Sequence, residues 1–197
     1  MAFVGLRKLI IGKMKAEGTY DKPIQMGKAI GVNVSPNYAE GSLYADDEQA
    51  EYDKEFAYAD ITLNTSTVPI EVSEVMFGHT ANEDKTGLTY NRDDQTEYVG
   101  VGWISQEKVD GKRKFIGNFL TKAKFSEPSE EYATKGENIE YKTPSISGRA
   151  TTDEKGDWKK IEKFDTAEKA LEYVYKCFGT TVPSNLNTQA LDKKVIV

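Results

Sequence analysis

The chain has 197 residues, 38% of them hydrophobic and 29% charged, with a formal net charge of −6. This length and composition suit a soluble globular domain with its own core. The acidic balance argues against a groove that grips nucleic acid, because such grooves cluster Lys and Arg. The negative charge is explained either by simple solubility or by a surface that must not hold DNA.

Cysteine usage and hydropathy narrow the setting further. Cys177 is the sole cysteine, so no internal disulfide is expected, and its position on a predicted helix favours a packed thiol over a nucleophile. This usage fits a reducing cytoplasm. The N-terminus lacks the layout of a signal peptide, and no segment has the ~20 apolar residues needed to cross a bilayer. We therefore expect no membrane association.

The first third of the chain predicts three strands, Leu6–Ile11, Ile24–Val34 and Phe56–Thr65. In the third, apolar residues at every second position indicate one buried face. Between the second and third strands lies Ser35–Glu55, which shows neither a helical stripe nor strand alternation. We expect a long acidic loop there, and loops beyond ~12–15 residues are usually functional or disordered.

This predicted loop contains more aromatic residues than a disordered linker would. Its large apolar side chains are Tyr38, Leu43, Tyr44 and Tyr52. We expect them to be partly exposed in the single subunit and covered by a neighbouring molecule.

The middle of the chain predicts a short helix followed by a β-hairpin. The helix lies within residues 66–78, where Thr67 can cap, Pro69 suits the first turn and Gly78 can end it. The polar stretch Thr80–Gln95 reads as an excursion or a small hairpin.

The clearest β signal follows in two alternating segments, Tyr98–Ile104 and Phe115–Phe125. Asp110-Gly111 between them is a hairpin turn signal. Two strands of this length are marginal alone, so we expect them to join a larger sheet.

The C-terminal third predicts two more strands and a helix. A strand over residues 138–150 is interrupted at Pro144, which suits an edge or a bulge, and Trp158–Phe164 is a weaker strand. Asp165 to Glu168 forms a capping-box pattern before an amphipathic helix that Gly179 ends. The tail from Thr180 onward is either a frayed terminus or an arm that pairs with a neighbour's sheet edge.

Residues for catalysis or for a nitrogen and sulfur metal site are missing from the sequence. The single histidine, His79, follows a predicted helix end and is expected to be a structural hydrogen bonder. One His and one Cys cannot form a zinc site of nitrogen and sulfur ligands. Adjacent carboxylates lie in loops without the spacing of a calcium loop, and no phosphate-binding glycine loop occurs. We expect no enzyme, and assign no catalytic, cofactor-binding or metal-binding residue.

Several short segments, in a fixed order along the chain, carry a resemblance to a known family. They are Val4–Leu9, Asn33–Gly41 running into Leu43–Asp47, Pro69–Val72, Phe77–His79, Tyr98–Gly102 and Lys124–Tyr132. Through these segments, from Phe3 to about Phe178, the chain resembles the major tail proteins of long, non-contractile-tailed bacteriophages, the subunits of the tail tube. No extra immunoglobulin-like decoration domain is evident.

The resemblance implies a mainly β, sandwich or barrel-like subunit with a flanking helix and a short helical segment. It implies a tail-tube domain over residues 1–178 and a C-terminal arm over residues 179–197. Such subunits form homo-hexameric rings that stack into a tube in the virion, assembled in the host cytoplasm. Implied partners are the tape-measure, tail-terminator and distal tail proteins, while DNA passes through the lumen without specific binding.

The resemblance also implies that the segment Ser35–Glu55 docks on a neighbouring subunit or ring. The expected inter-subunit residues lie in that segment and in the tail: Asn37, Tyr38, Glu40, Leu43, Tyr44, Asp46, Asp47, Tyr52, Val195, Ile196 and Val197. One face of the central hairpin is a candidate lumen lining, with Gly100, Gly102, Lys114 and Asn118.

Two alternatives remain at this point. The first is a stand-alone β-sandwich module that binds carbohydrate with Trp103 and Trp158 as a stacking platform, although the sequence favours core anchors as the role of both. The second is the tube of a phage-derived particle that carries no DNA.

Overall fold

The structure, a computed structural model, describes residues 2–45, 48–109, 111–131, 134 and 143–183. In chain order the strands are β1 (Ala2–Ala16), β2 (Thr19–Tyr20), β3 (Ile24–Gln25), β4 (Ala29–Ala45), β5 (Glu48–Thr65), β6 (Thr80–Ala81), β7 (Leu88–Thr89), β8 (Val99–Val109), β9 (Lys112–Phe125), β10 (Ser145–Thr151) and β11 (Lys159–Phe164). The helices are α1 (Ile70–Phe77) and α2 (Ala167–Cys177). The prediction of a mainly β protein with a flanking helix and a short helical segment is confirmed.

Nine of these strands form one antiparallel sheet. The path runs β2-β1-β8-β9-β10-β5-β4, with β3 beside β1 and β11 beside β9. The sheet curls, so that Cα atoms of β1 come within 8 Å of Cα atoms of β4 near the opposite end of the path. The strands β6 and β7 pair separately as a small hairpin, as the polar stretch after α1 predicts.

The main core lies on the inner face of the curled sheet, and α1 closes it. Strand alternation sends every second side chain inward, and the buried apolar residues come from α1 and five strands. They include Leu9, Ile11, Ile61, Leu63, Val72, Met76, Val101, Leu120, Phe125 and Ile146. Each fully buried aliphatic side chain contributes about 1.5–3 kcal/mol, so this face stabilises the fold.

The opposite face of the central strands is covered by α2. An ideal Cβ on Gly102 would lie 2.3 Å from Val174 Cγ1, and one on Gly117 would lie 2.6 Å from Tyr173 Cδ1. The glycines therefore let α2 lie close against the sheet. Asn118 follows Gly117 in β9, so its side chain lies on the opposite, main-core face, where it is buried and donates to Ser105 Oγ at 3.0 Å.

The expectation that Gly100, Gly102, Lys114 and Asn118 share one face that lines a lumen is therefore wrong. Gly100 and Gly102 are buried under Tyr20, Val174 and Phe178. Lys114 pairs with Asp165 just before α2. Helix α2 packs its apolar side chains on the face that contains Gly100 and Gly102, so this face is covered and does not line a channel.

The long loop predicted for Ser35–Glu55 is also wrong. Most of the segment continues β4 and β5, which pair from Ala29↔Thr65 out to Ala45↔Glu48. The strand that we predict over Ile24–Val34 is instead divided between β3 and β4. Residues 138–142 of the predicted strand and Asp110 of the predicted turn lie outside the described residues.

The helix ends differ from prediction in their caps. Pro69 is the N-cap of α1 and no side chain caps it, whereas Gly78 ends α1 in the left-handed conformation as predicted. The N-cap of α2 is Thr166, whose side chain accepts from the Lys169 N–H, rather than Asp165. Gly179 follows α2 at φ 77° and ends it as predicted.

Candidate assembly surface

The distal parts of β4 and β5 form a two-stranded ribbon that we call the arm, residues 37–45 and 48–58. Strand β10 pairs with β5 from Ala59 to Asn64 and goes no further towards the β4–β5 turn. Among the described residues, the arm strands therefore pair only with each other. Nine residues of strand at about 3.3 Å each give the arm a reach of about 30 Å.

The arm is exposed on both faces. Tyr38 is 45% exposed, Leu43 58% and Tyr52 54%. Ordinary surface strands hide one face against a core, which is what stabilises them. The arm has no such cover within the described part of the chain.

One face of the arm is aromatic. Cross-strand partners share a face, and here Tyr38 pairs with Phe56, Glu40 with Lys54 and Ser42 with Tyr52. Lys54 Nζ donates to Glu40 Oε1 at 2.5 Å and lies 4.7 Å from the centroid of the Tyr38 ring. This pairing lowers the pKa of Glu40 and raises that of Lys54. These contacts arrange the rings in one row in which Tyr38 and Tyr52 stay exposed and Phe56 is half-buried.

The other face of the arm is acidic. Small or apolar residues on β4 oppose carboxylates on β5: Ala39↔Glu55, Gly41↔Asp53 and Leu43↔Glu51. All six are exposed. The two faces thus differ in chemistry, and each would need a binding surface of a different kind.

Contacts at its base hold the arm to the body. Phe56 stacks on Trp158 with ring centroids 4.7 Å apart, and Tyr38 packs edge-on against Phe56 at 6.1 Å. Asn37 Nδ2 donates to Asp60 Oδ2 at 2.8 Å. The rows of side chains on the arm are therefore fixed in orientation where the arm leaves the sheet.

The predicted inter-subunit residues fall on the arm or outside the described residues. Asn37, Tyr38, Glu40, Leu43 and Tyr52 all lie on the arm. Tyr44 lies on β4 but its side chain is not described, and Asp46, Asp47, Val195, Ile196 and Val197 lie outside the described residues.

Sequence reasoning missed the charged and aromatic partners of these residues: Lys54, Phe56 and Trp158. It also missed the acidic row Glu51, Asp53 and Glu55. The alternation of acids with Tyr52, Lys54 and Phe56 was the available signal.

The tryptophans do not form an exposed platform. Trp103 is 5% exposed in the main core, as the core-anchor interpretation predicts. Trp158 is half-buried, with one ring face against Phe56. Stacking of a sugar on this pair would require the core to open.

Cys177 is half-buried near the end of α2. Burial raises the pKa of the Cys177 thiol, which disfavours the nucleophilic thiolate. In the described part of the chain, no helix combines the length and hydropathy needed to span a bilayer.

Comparison with solved structures shows a likeness in fold, whereas comparison with sequences does not. No family model and no curated protein matches this sequence. Among solved structures, the chain is similar to the cryo-EM structure of the anti-feeding prophage cap, described as the AFP tube terminating cap. The likeness covers 80% of this chain and 89% of that chain, with 13% identity and a TM-score of 0.40. At this level the likeness decides nothing about what this chain does.

Proposed function

We propose that this protein is a structural subunit that assembles with copies of itself into the tail tube of a phage or phage-derived particle. The single observation that carries the proposal is the arm. A two-stranded ribbon with exposed tyrosines on one face and no cover from its own chain is suited to contact a neighbour.

The resemblance stated above supports the same proposal. The segments Asn33–Gly41 and Leu43–Asp47 carry much of it, and their described residues, up to Ala45, lie on β4. In tail-tube proteins the corresponding segment is expected to dock on the next subunit or ring. The arm's aromatic row, Tyr38, Phe56 and Tyr52, is the face that we assign to this contact.

The chemistry of the arm favours contact through its faces. An exposed edge strand invites indiscriminate pairing, and charged side chains along it oppose that. Here Lys54 and the carboxylates of the acidic face lie along β5, one of the two strands of the arm that have an open edge. Burial of the tyrosines by a neighbour then contributes hydrophobic free energy, while these charges oppose the pairing of further strands with β5.

Ring formation follows the geometry of heterologous contacts. When a protruding element of one copy contacts a different surface of the next, the contact closes into a ring if the rotation allows and otherwise continues as a filament. Hexameric rings, stacking, and passage of DNA through the lumen belong to this proposal. The net charge of −6 supports a conduit that does not bind phosphate.

The proposal is tested by replacing exposed apolar side chains of the arm. Purified protein at high concentration is examined by analytical ultracentrifugation and negative-stain microscopy. We expect rings or tubes from the wild type and only monomers from a Tyr38→Ser, Leu43→Ser, Tyr52→Ser variant that keeps its circular dichroism spectrum.

The matched control is Ile161→Ser, which removes an equally exposed apolar side chain on β11, away from the arm. We expect this variant to assemble like the wild type. Wild-type protein that stays monomeric, or a triple variant that assembles normally, would contradict the proposal.

A further inference from the structure

A cleft of about 570 Å³ lies beside the C-terminal end of α1, away from the arm. Its walls come from α1, the β6–β7 hairpin and the segments around residues 127–131 and 143–145. The side chains that matter here are Phe77, His79, Tyr90, Glu127, Glu130 and Glu131. Three of the six are carboxylates, so the cleft is acidic.

His79 is fixed in the wall of this cleft. Gly78 ends α1 in the left-handed conformation, so the chain turns sharply just before His79. The His79 side chain is only 4% exposed, and the centroid of its ring lies 4.1 Å from that of Tyr90. His79 Nδ1 lies 2.8 Å from Asp94 Oδ2, which also accepts the Asn91 N–H at 2.8 Å. The ring is therefore held in one orientation, with its Nδ1–H donating to the Asp94 carboxylate.

The other ring nitrogen, Nε2, is buried and has no hydrogen-bond partner among the described residues. Glu127 Oε1 lies 3.3 Å away, without the geometry of a hydrogen bond. With Nδ1 protonated, the neutral ring presents a lone pair at Nε2. A lone pair and a carboxylate oxygen that face each other repel unless a proton or a metal ion lies between them.

The spacing of these two atoms matches ligands of one metal ion. Zinc binds His nitrogen and carboxylate oxygen at about 2.0–2.2 Å in a tetrahedral arrangement, which places the two ligand atoms about 3.3 Å apart. Metal-binding histidines characteristically donate their second N–H to a carboxylate, which fixes the tautomer. The Asp94–His79 contact has this form.

We propose that His79 Nε2 and the Glu127 carboxylate bind a divalent transition metal of the zinc type, with Asp94 as the positioning residue. Among the described residues no group of three or more His, Cys, Asp and Glu side chains forms a metal cage. The site is therefore open, and water completes the coordination beside Glu130 and Glu131. The metal joins the end of α1 to the segment that follows β9, independently of the arm and of assembly.

The test is a titration of the full-length, metal-free protein with Zn²⁺ and with Co²⁺ as a spectroscopic probe, near neutral pH. We expect one equivalent per chain by calorimetry and a cobalt absorption spectrum that indicates fewer than six ligands. His79→Gln is expected to abolish binding. Glu127→Gln and Asp94→Asn are expected to weaken binding by about tenfold or more.

Two controls separate this site from general acidity and from misfolding. Glu83→Gln removes an exposed charge near the β6–β7 turn and is expected to bind the metal normally. Glu127 is half-exposed, so its substitution does not threaten the fold. Nitrogen NMR of the His79 ring provides a second readout. On addition of Zn²⁺ we expect a large change in the chemical shift of Nε2 and little change in that of Nδ1. In Asp94→Asn we expect a mixture of the two ring tautomers.

Three results would each overturn the proposal. The first is the absence of saturable Zn²⁺ binding. The second is binding that persists in His79→Gln, which would place the ion elsewhere. The third is a ring protonated on both nitrogens at neutral pH that Zn²⁺ does not displace, which would make His79 a cationic bridge between Asp94 and Glu127.

Discussion

At the scale of single residues, Gly102 sets how closely α2 approaches the sheet. A Cβ at this position would lie 2.3 Å from a methyl group of Val174, which is itself fully buried. We therefore expect Gly102→Ala to lower the free energy of unfolding by about 1–3 kcal/mol, the usual cost of overpacking. Chemical denaturation measures it.

Gly41 on the arm is the matched control. Nothing lies within 4 Å of a Cβ built there and its φ is not positive, so Gly41→Ala should change stability by less than about 0.5 kcal/mol. The account of α2 packing fails if Gly102→Ala is as stable as Gly41→Ala. Partial rescue of Gly102→Ala by Val174→Ala would show directly that the two positions compete for the same space.

Asp94 provides a prediction about pH. The Asn91 backbone N–H, and then the hydrogen bond with His79, lower the pKa of Asp94 below its ordinary value of 3.8. A carboxyl group whose pKa is lower in the folded than in the unfolded state stabilises the fold above the unfolded value. That contribution is lost as the pH falls through the folded value.

We therefore expect Asp94→Asn to melt at a lower temperature than the wild type near neutral pH. The difference in melting temperature should narrow as the pH falls below 3.8, because the wild-type carboxylate then becomes protonated and, like the Asn side chain, carries no charge. Thermal melts of both proteins across this range make the comparison. A difference that stays constant down to the lowest pH would show that the carboxylate charge is unimportant here.

At the scale of elements, the arm shows why part of the fold could be read from sequence and part could not. The central parts of β8 and β9 are buried on both faces, and glycines on the face under α2 alternate with large apolar side chains, so their prediction succeeds. In the arm neither face is buried by the chain itself, so acids alternate with aromatic and basic residues instead of polar with apolar ones. A strand stabilised by another molecule lacks the signal on which sequence reading depends.

The exposed residues of the arm could be predicted from the sequence, but their contacts could not. Tyr38, Leu43 and Tyr52 stand out because aromatic and aliphatic side chains are rare in acidic loops, and this singled out the right segment. The pairing of Glu40 with Lys54 and the stacking of Phe56 on Trp158 depend on register and on contacts over long sequence distances. No local pattern specifies these.

The arm is expected to be dispensable for folding and necessary for assembly. Replacing residues 38–57 with Asn-Gly, a two-residue hairpin turn, removes the exposed ribbon but keeps the pairing of β5 with β10. We expect a cooperative melt within a few degrees of the wild type, because the variant keeps every fully buried residue of the main core and loses only the partly buried Phe56 at its margin. Calorimetry and ultracentrifugation of the variant test both halves of this prediction.

A substantial loss of stability would mean that the arm belongs to the core of its own chain. Assembly of the shortened protein would mean that other surfaces join the subunits. Trp158 loses its partner Phe56 in this variant, so its fluorescence provides a check that the base of the arm is open.

At the scale of the whole molecule, the curled sheet and its two helices form a body that is closed on both faces of the central strands. The arm extends beyond this body, and its aromatic and acidic faces are both exposed. A body with its own buried cores and an arm without one suit a subunit of a repeating assembly. Under the proposed function, we expect the body to fold before assembly and the arm to be stabilised by contact with the next copy.

The most direct test of this account is a cryo-EM map of the particles that the purified protein forms. The account predicts tubes of stacked rings in which Tyr38, Leu43 and Tyr52 of every subunit lie buried against a neighbouring copy. A tube in which these side chains remain as exposed as the 45–58% of the single subunit would contradict it.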